Sequence, residues 1–577
     1  MRDFDPYLLE VLRSAFDTIA DNMAITVMRT AYSEIVRESL DFSTALCDRS
    51  GLTLAQGVCT PMHLGSFHES MQNLIRLAGG KVHQGDIFIF NDPFLAAGQH
   101  LPDIYVVKPI FHDGEIEGWA TTLAHHSDVG GIVAGSNALG AVEVFQEGLR
   151  LPILKLFERG EPNESIWQII KANVRTPHLV FGDLHAQVAA CANGEREYLA
   201  LIERYGTETI RTAGTALHAY AERLTRAELK DFPTGEFRFE NFIDGLGEVP
   251  EPILFNVAVR FSNSEAVVDW AGTSKQVAGG INSMFPFTQA CAYAAIRSVM
   301  RVDVPNCHGF TRAIHVKAPL GTVVNPVFPA ATGARGITGY RMIDCLFGAL
   351  VQAVPERVAA DGSGGSSLPT FSGFDGNRHF VFCETLMGTN GATALHDGQE
   401  GVAHIGANQA NVPIELIEAR YPLRIEEYGL VPDSGGPGRL RGGLSLRRSY
   451  RILCDWASLN IRSDKRAHPP YGLFGGRAGG GSMTIIYRGN ERIVIPALPT
   501  SPIPLQFGDV VEHTMPAGGG WEDPRARAVE AIDRDLAGGY VTPDGAVRDY
   551  GVNIDRSRMR VDHAVKVDEK LQPGVVK

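Results

Sequence analysis

The sequence predicts an α+β, multidomain protein, and three observations carry that prediction. The chain has 577 residues, 44% of them hydrophobic and 21% charged, several times the ~100–150 residues of a common domain. Helical periodicities come in blocks instead of alternating regularly with strands, and a long C-terminal stretch consists of short strands between glycine-rich turns. Four regions follow. Residues 1–234 form an N-terminal mixed α/β region of helix and hairpins, to which the candidate metal site belongs. Residues 235–375 form a central α+β region, 376–522 a β-rich region, and 523–577 a C-terminal helix and tail.

Asp5-Pro6 reads as the cap and first position of a helix on which Leu8, Leu9, Leu12, Phe16, Ile19 and Met23 share a face. DFSTALCDRSGLTLAQG, starting at Asp41, then alternates on both sides of Asp48-Arg49-Ser50-Gly51, a strand, turn and strand. KVHQGDIFIFNDPF gives a strand ending at Asn91-Asp92-Pro93, and DIYVVKPIFHDGEIEGWATTLAHH a hairpin turning at Asp113-Gly114. Helical patterns fill 163–229. In the central region PILFNVAVRF and EAVVDWAG are strands, followed by helices in FTQACAYAAIRSVMRV and ITGYRMIDCLFGALVQAV. Asp523-Pro524 is expected to cap a final helix running to Leu536 and stopped by Gly538-Gly539. The last ~15 residues read as a mobile tail.

The formal charge of -13 and the lack of a dense basic run argue against nucleic acid as a partner. Eight cysteines without a C-x-x-C pair fit reduced thiols in a cytoplasmic protein. Cys307-His308, and Cys59 near His63, lack the surroundings of a thiol catalyst and read as buried structural groups. No signal peptide and no ~20-residue apolar run are visible, so neither export nor a membrane span is expected. Asp361-Gly-Ser-Gly-Gly, Asp433-Ser-Gly-Gly-Pro-Gly-Arg and Ala517-Gly-Gly-Gly-Trp lack the lysine and spacing of a P-loop and read as turns.

The stretch most suited to chemistry is GQHLPDIYVV followed by AHHSDVGG. Neutral imidazoles and ionised carboxylates that converge within ~2.0–2.2 Å of a point hold a divalent metal. If the Asp113-Gly114 turn pairs strand positions whose numbers sum to 226 or 228, Asp103 falls opposite or diagonal to His125. An odd sum turns His125 to the other face. His100 precedes Asp103 by one proline-containing turn. Asp41, at the head of the earlier hairpin, is a candidate fourth ligand that sequence does not bring near. His126 and Asp128 are candidates for orienting or catalytic support. Each position also has a plainer reading as a hydrogen-bonded turn or strand-edge residue.

Six ordered motifs resemble the hydantoinase B/oxoprolinase family: NDPFLAAGQHLPDIYVVKPIF, AHHSDVGG, QEGLRLPILKLFERG, VRTPHLVFGDLHAQ, NVPIELIEARYPLRIEEYGLVPDSGGPGRLRGGLS and HTMPAGGGWEDP. With weaker similarity around them they cover about 30–552. The resemblance implies a B-type subunit in a hetero-oligomer with a hydantoinase A-type subunit, which binds ATP and Mg. It implies ATP-dependent opening of a small cyclic amide such as a hydantoin, lactam or oxoproline-like ring. Two alternatives are a subunit of an ATP-dependent ketone carboxylase and a scaffold with a structural metal. It also implies that Asp41, His100, Asp103 and His125 hold Zn or Mn.

Overall fold

The computed structural model describes residues 4–57 and 60–562. Cys59 and the expected tail lie outside the described residues. Helix α1 (Pro6–Thr30) starts where Asp5 Oδ1 accepts the Tyr7 N–H at 3.0 Å, and it buries Leu12, Phe16, Ile19, Met23 and Val27 on one face. A single turn, α2 (Glu34–Arg37), leads into the hairpin β1 (Phe42–Asp48) and β2 (Thr53–Gln56). Asp48 Oδ1 closes that turn by accepting the N–H groups of Ser50 and Leu52. After α3 (Ser66–Ala78) come β3 (Ile87–Phe90), β4 (Asp103–His112), β5 (Glu115–His125), β6 (Leu154–Glu158) and β7 (Glu161–Pro162). They form one seven-stranded sheet in the order β2-β1-β5-β4-β3-β6-β7.

The turn between β4 and β5 uses Asp113 at φ 49 and Gly114 at φ 82, the pair of positive torsions that matches a two-residue turn to strand twist. Next to the turn the pairs sum to 227, His112 with Glu115 and Phe111 with Ile116, and a bulge between Ile110 and Phe111 shifts the register to the sum of 228 that sets Asp103 opposite His125. Along β4 the side chains alternate. Tyr105 and Val107 pack under α3 with Phe67, Met71 and Leu74, while Ile104 and Val106 join the core on the opposite face. That opposite face is covered by α1 and by α5 (Pro177–Tyr205), which follows α4 (Glu164–Asn173) and precedes α6 (Thr207–Lys230). A methyl group on Gly194 of α5 would come within 2.5 Å of Met23 Sδ, so this crossing requires glycine.

The central region is a four-stranded sheet, β11-β10-β9-β8, made of β8 (Gly235–Ile243), β9 (Ile253–Ser262), β10 (Glu265–Asp269) and β11 (Ile314–Lys317). Between β10 and β11 lie α7 (Phe285–Ser298) and α8 (His308–Thr311). Helix α9 (Gly336–Leu350) packs on β8, β9 and α7 and is buried at all positions but one. A helix apolar on every side needs that central place.

The C-terminal region is built on two larger antiparallel sheets, of four and five strands, beside two-stranded ribbons. One, β13-β12-β14-β15, joins β12 (Leu368–Asp375), β13 (Arg378–Cys383), β14 (Trp456–Arg462) and β15 (Ile503–Gln506). The other contains five strands between Leu423 and Thr514, and Phe371, Tyr450, Leu459, Ile461, Ile486 and Val511 fill the space between the two sheets. The glycine-rich segments pack on one another: a Cβ on Gly442 would lie 1.9 Å from the Gly518 carbonyl oxygen, as a close backbone approach demands.

One expected element differs. Asp523 caps only a 3-10 turn, Pro524–Ala526, and the helix begins later, at Val529–Ala537. The break falls at Arg527, whose buried guanidinium reaches Asp397 at 2.8 Å and Asp535 at 2.6 Å and holds the backbone extended. A further helix, Pro543–Tyr550, is capped by Thr542, whose hydroxyl accepts the Gly545 N–H at 3.0 Å. The seven described cysteines are all free and buried. Among the described residues no helix is long and apolar enough to cross a membrane.

Candidate metal centre

Three of the predicted ligands meet. The ligand atoms of His100, Asp103 and His125 all lie within 4.8 Å of one another, and all three side chains are buried. Neighbouring strand ends bring them together. Asp103 opens β4, His125 closes β5 directly across from it, and the Asp103 N–H donates to the His100 carbonyl oxygen to close the proline turn. Asp41 stands just before β1, where its carbonyl oxygen accepts the His125 N–H at 3.0 Å. Its carboxyl lines the same cavity but is not part of the close trio.

The donor set fits a divalent ion. His100 Nδ1–H donates to the Gly333 carbonyl oxygen at 2.7 Å, which leaves the Nε2 lone pair facing the cavity. His100 Nε2 and Asp103 Oδ1 are 3.0 Å apart without hydrogen-bond geometry, and both are buried and unpartnered, as is His125 Nδ1. Unpartnered buried polar atoms occur elsewhere in the molecule too, but three on residues whose ligand atoms converge within 4.8 Å fit an arrangement for a ligand. The free volume there is about 20 Å³, room for an ion or one water, so a cyclic substrate requires the walls to part.

Electrostatics suit the same chemistry. Burial holds His100 and His125 below the ordinary imidazole range, aided by Arg335 at His100 and by His100 at His125. Both rings are therefore neutral donors. Burial works to raise Asp103, but the charged guanidinium of Arg335 paired with it overrides burial and holds this carboxyl well below its usual range. Asp41 is pushed up to about 7 by burial and by the charge of Asp103.

His126 and Asp128 do not reach this point. His126 lies one residue past His125 and turns to the face covered by α5, where its Nε2 meets Gln187 Oε1 at 3.0 Å. Gln187 in turn donates to the Ile104 carbonyl oxygen. Asp128 accepts from Arg175 Nη1 and Arg175 N–H, both at 2.8 Å, and from the N–H groups of Gly130 and Gly135. Neither side chain lines the cavity.

Other walls escape the sequence reading. His63, at the end of a one-turn helix, faces Asp103 at 3.8 Å from Nε2 and is anchored through Nδ1 by Ser43 Oγ at 2.8 Å. Burial holds His63 down to about 4. Arg335, just before α9, pairs with Asp103, hydrogen-bonds Gln99 Oε1 at 2.7 Å and stacks over the Phe287 ring. Gln409, Tyr340 and Arg462 complete the lining. No local motif marks these residues; the one available signal was that His63 stands in a Pro-Met-His turn beside the Asp41 hairpin.

Fold and cavity together define a multidomain α+β protein with a buried histidine and carboxylate donor set. The chain belongs to the hydantoinase B/oxoprolinase family, whose profile matches residues 5–524. It is 34% identical to the B-type subunit of a putative D-/L-hydantoinase from Pseudomonas sp. (strain NS671), with 96% of each chain covered. It superposes on the crystal structure of the ATP-dependent caprolactamase from Pseudomonas jessenii with a TM-score of 0.90 at 28% identity, covering 98% of both chains. An acetone carboxylase structure gives a TM-score of 0.87 at 20% identity over 98% of this chain and 82% of that one, a likeness of fold.

Proposed function

We propose that the chain is the metal-holding B-type subunit of an ATP-dependent hydrolase that opens small cyclic amides beside an A-type, ATP-binding partner. The observation that carries this reading is the convergence of three unpartnered donor atoms in a closed cavity, in a member of this family. The hydantoinase and the ATP-dependent caprolactamase among its relatives favour cyclic amides as the substrate class.

His100, Asp103 and His125 would hold a divalent ion, Zn or Mn, with Asp41 as the fourth donor. A bound ion supplies Lewis-acid polarisation of a carbonyl and lowers the pKa of water. Around it the chain's own groups set the geometry. Gly333 fixes the His100 tautomer, while Arg335 and the Phe287 ring hold Asp103. His126 ties the end of β5 to α5, and Asp128 with Arg175 locks the loop that follows. Amide resonance makes a lactam carbonyl a poor electrophile, so activation by ATP on the partner accounts for the energy source.

The test is elemental analysis of the purified two-subunit complex, combined with ATP hydrolysis across a panel of lactams and hydantoins and, separately, ketones with labelled bicarbonate. The expected result is bound Zn or Mn and cyclic-amide-stimulated ATP hydrolysis with ring opening. Label fixed into a ketone product, or a metal-free complex with full turnover, overturns it.

A further inference from the structure

The motif QEGLRLPILKLFERG contributes nothing to the cavity lining, yet its Glu147 is wholly buried and has no ion pair among the described residues. Asp41 and Asp183 are also buried without one, but Arg335 faces Asp41 and the His126 ring faces Asp183. At Glu147 burial pushes the carboxyl up to about 8, opposed by hydrogen bonds from the Thr332 and Gly333 N–H groups and by no opposite charge. Charge pairing does not explain why this group is buried. The backbone it grips does.

Glu147 is fastened to the loop that follows His125, through the Ile132 N–H on the Gln146 carbonyl oxygen at 2.9 Å and the Leu149 N–H on that of Val129 at 2.8 Å. From there it reaches the turn before α9, where Oε2 accepts the Thr332 N–H at 3.0 Å and Oε1 accepts the Gly333 N–H. The carbonyl oxygen of that same Gly333 is the acceptor for His100 Nδ1–H. Glycine is forced by the close approach: a Cβ on Gly333 would lie 2.8 Å from Glu147 Oε1 and 2.9 Å from the Ser136 carbonyl oxygen. Glycine also leaves the backbone torsions free, so the aim of its carbonyl depends on what pins its N–H. The surrounding segment has other fastenings: the Val144 N–H donates to the Pro329 carbonyl oxygen at 2.8 Å, the Ala334 N–H to that of Gly280 at 2.7 Å, and Asn282 Nδ2 to that of Ala331 at 2.9 Å. Loss of the Glu147 carboxylate therefore frees the peptide planes at 332 and 333 while the segment stays in place.

We propose that Glu147 is a positioning residue for the metal centre: its carboxylate fixes the Thr332–Gly333 turn, and through the Gly333 carbonyl it sets the tautomer and the aim of His100. This rests on the reading of His100 as a ligand, and it adds a residue that touches neither the cavity nor any ligand side chain. A ligating imidazole is held by the partner of its other ring nitrogen, and here that partner is a backbone carbonyl whose own direction needs a second anchor. Glu147 supplies it from a part of the chain 47 residues beyond His100 and 186 before Gly333.

Two readouts on the full-length chain test this, both at about pH 8.5, where the carboxylate is the major form. Zn(II) affinity is measured by competition with a chelator, and the proton position on His100 is read by nitrogen NMR of the histidine-labelled, metal-stripped chain, its signal assigned by its absence from His100→Gln. Glu147→Gln keeps the shape but replaces one acceptor with an NH2 group that faces an N–H. The expected result is a fall of ~10-fold or more in Zn(II) affinity, with the His100 proton shared between Nδ1 and Nε2. Thr338→Val is the control: it removes the hydroxyl bond to the Ile281 carbonyl oxygen from the first turn of α9, and is expected to lower stability and leave both readouts unchanged. Unchanged affinity in Glu147→Gln overturns the proposal, as does a fall in affinity with the proton still confined to Nδ1. Should Glu147→Gln fail to fold, Glu147→Asp, whose shorter carboxylate cannot reach both N–H groups, decides by the same readouts. A parent chain that binds no Zn(II) removes the ligand reading instead, and the proton position then decides this inference by itself.

Discussion

Three residues separate two buried charge clusters of opposite character. Around Lys465, Nζ donates to Asp344 Oδ2 at 2.5 Å, to Asp361 Oδ1 at 2.7 Å and to the Gly362 carbonyl oxygen, while His404 Nε2 holds Asp344 Oδ1 at 2.9 Å. Every proton on that ammonium has an acceptor, and the cluster ties α9 to the C-terminal sheets. Around Arg462 and the His100 trio, donors and acceptors stay unpartnered at equal depth. Burial and charge alone do not mark a functional site. What separates the two is the convergence of unmet donor atoms on one cavity, since single unpartnered atoms such as Asp361 Oδ2 occur in the first cluster as well.

Five substitutions sharpen or break this contrast. Lys465→Met leaves two carboxylates facing each other and should cost about 3–5 kcal/mol in urea unfolding, while metal per folded chain stays constant. Unchanged stability would remove its standing as a staple. His100→Ala or Asp103→Ala should reverse the pattern, lowering divalent-ion affinity by more than ~100-fold, beyond the 10–100-fold typical of losing an outer partner, with a smaller change in unfolding. Metal titration with a chromophoric chelator measures it, and normal metal content in both variants would end the ligand assignment.

A third case is a neutral histidine in a saturated pocket. His513 bonds Thr484 Oγ1 at 2.9 Å and Ser367 Oγ at 2.8 Å, and burial, then Arg466, hold its imidazole down to about 3. The folded value lies below the unfolded one near 6.5, so its stabilisation is complete above pH ~6.5 and drains as pH falls towards 3. Acid unfolding should show a slope of up to about 1.4 kcal/mol per pH unit in that window from this group, and His513→Gln should flatten it. The smallest effect is expected from His126→Ala, which strands Gln187 Oε1 and should cost about 1–3 kcal/mol with at most ~10-fold loss of metal affinity. Complete metal loss there would place His126 among the ligands after all.

The hairpin of the first sheet was legible from its Asp113-Gly114 turn, but its register was not: the turn alone pairs positions that sum to 227, and the bulge between Ile110 and Phe111, which no local signal marks, restores the even sum that puts Asp103 opposite His125. The α1 cap and the α9 helix were likewise readable from capping chemistry and periodicity. The walls of the cavity were not. Arg335 lies 232 residues from its partner Asp103, and Arg462 and Gln409 are further along still, so only tertiary packing selects them. Asp523-Pro524 looked like a helix start because its capping chemistry is genuine; the buried Arg527 ion pairs, invisible locally, end that turn early.

The floor of the cavity comes from residues 41–125 and its roof from Phe287 and residues beyond 330. An ion held by those donors would leave only when the roof parts from the floor, so its exchange would be slow compared with that at an open surface site.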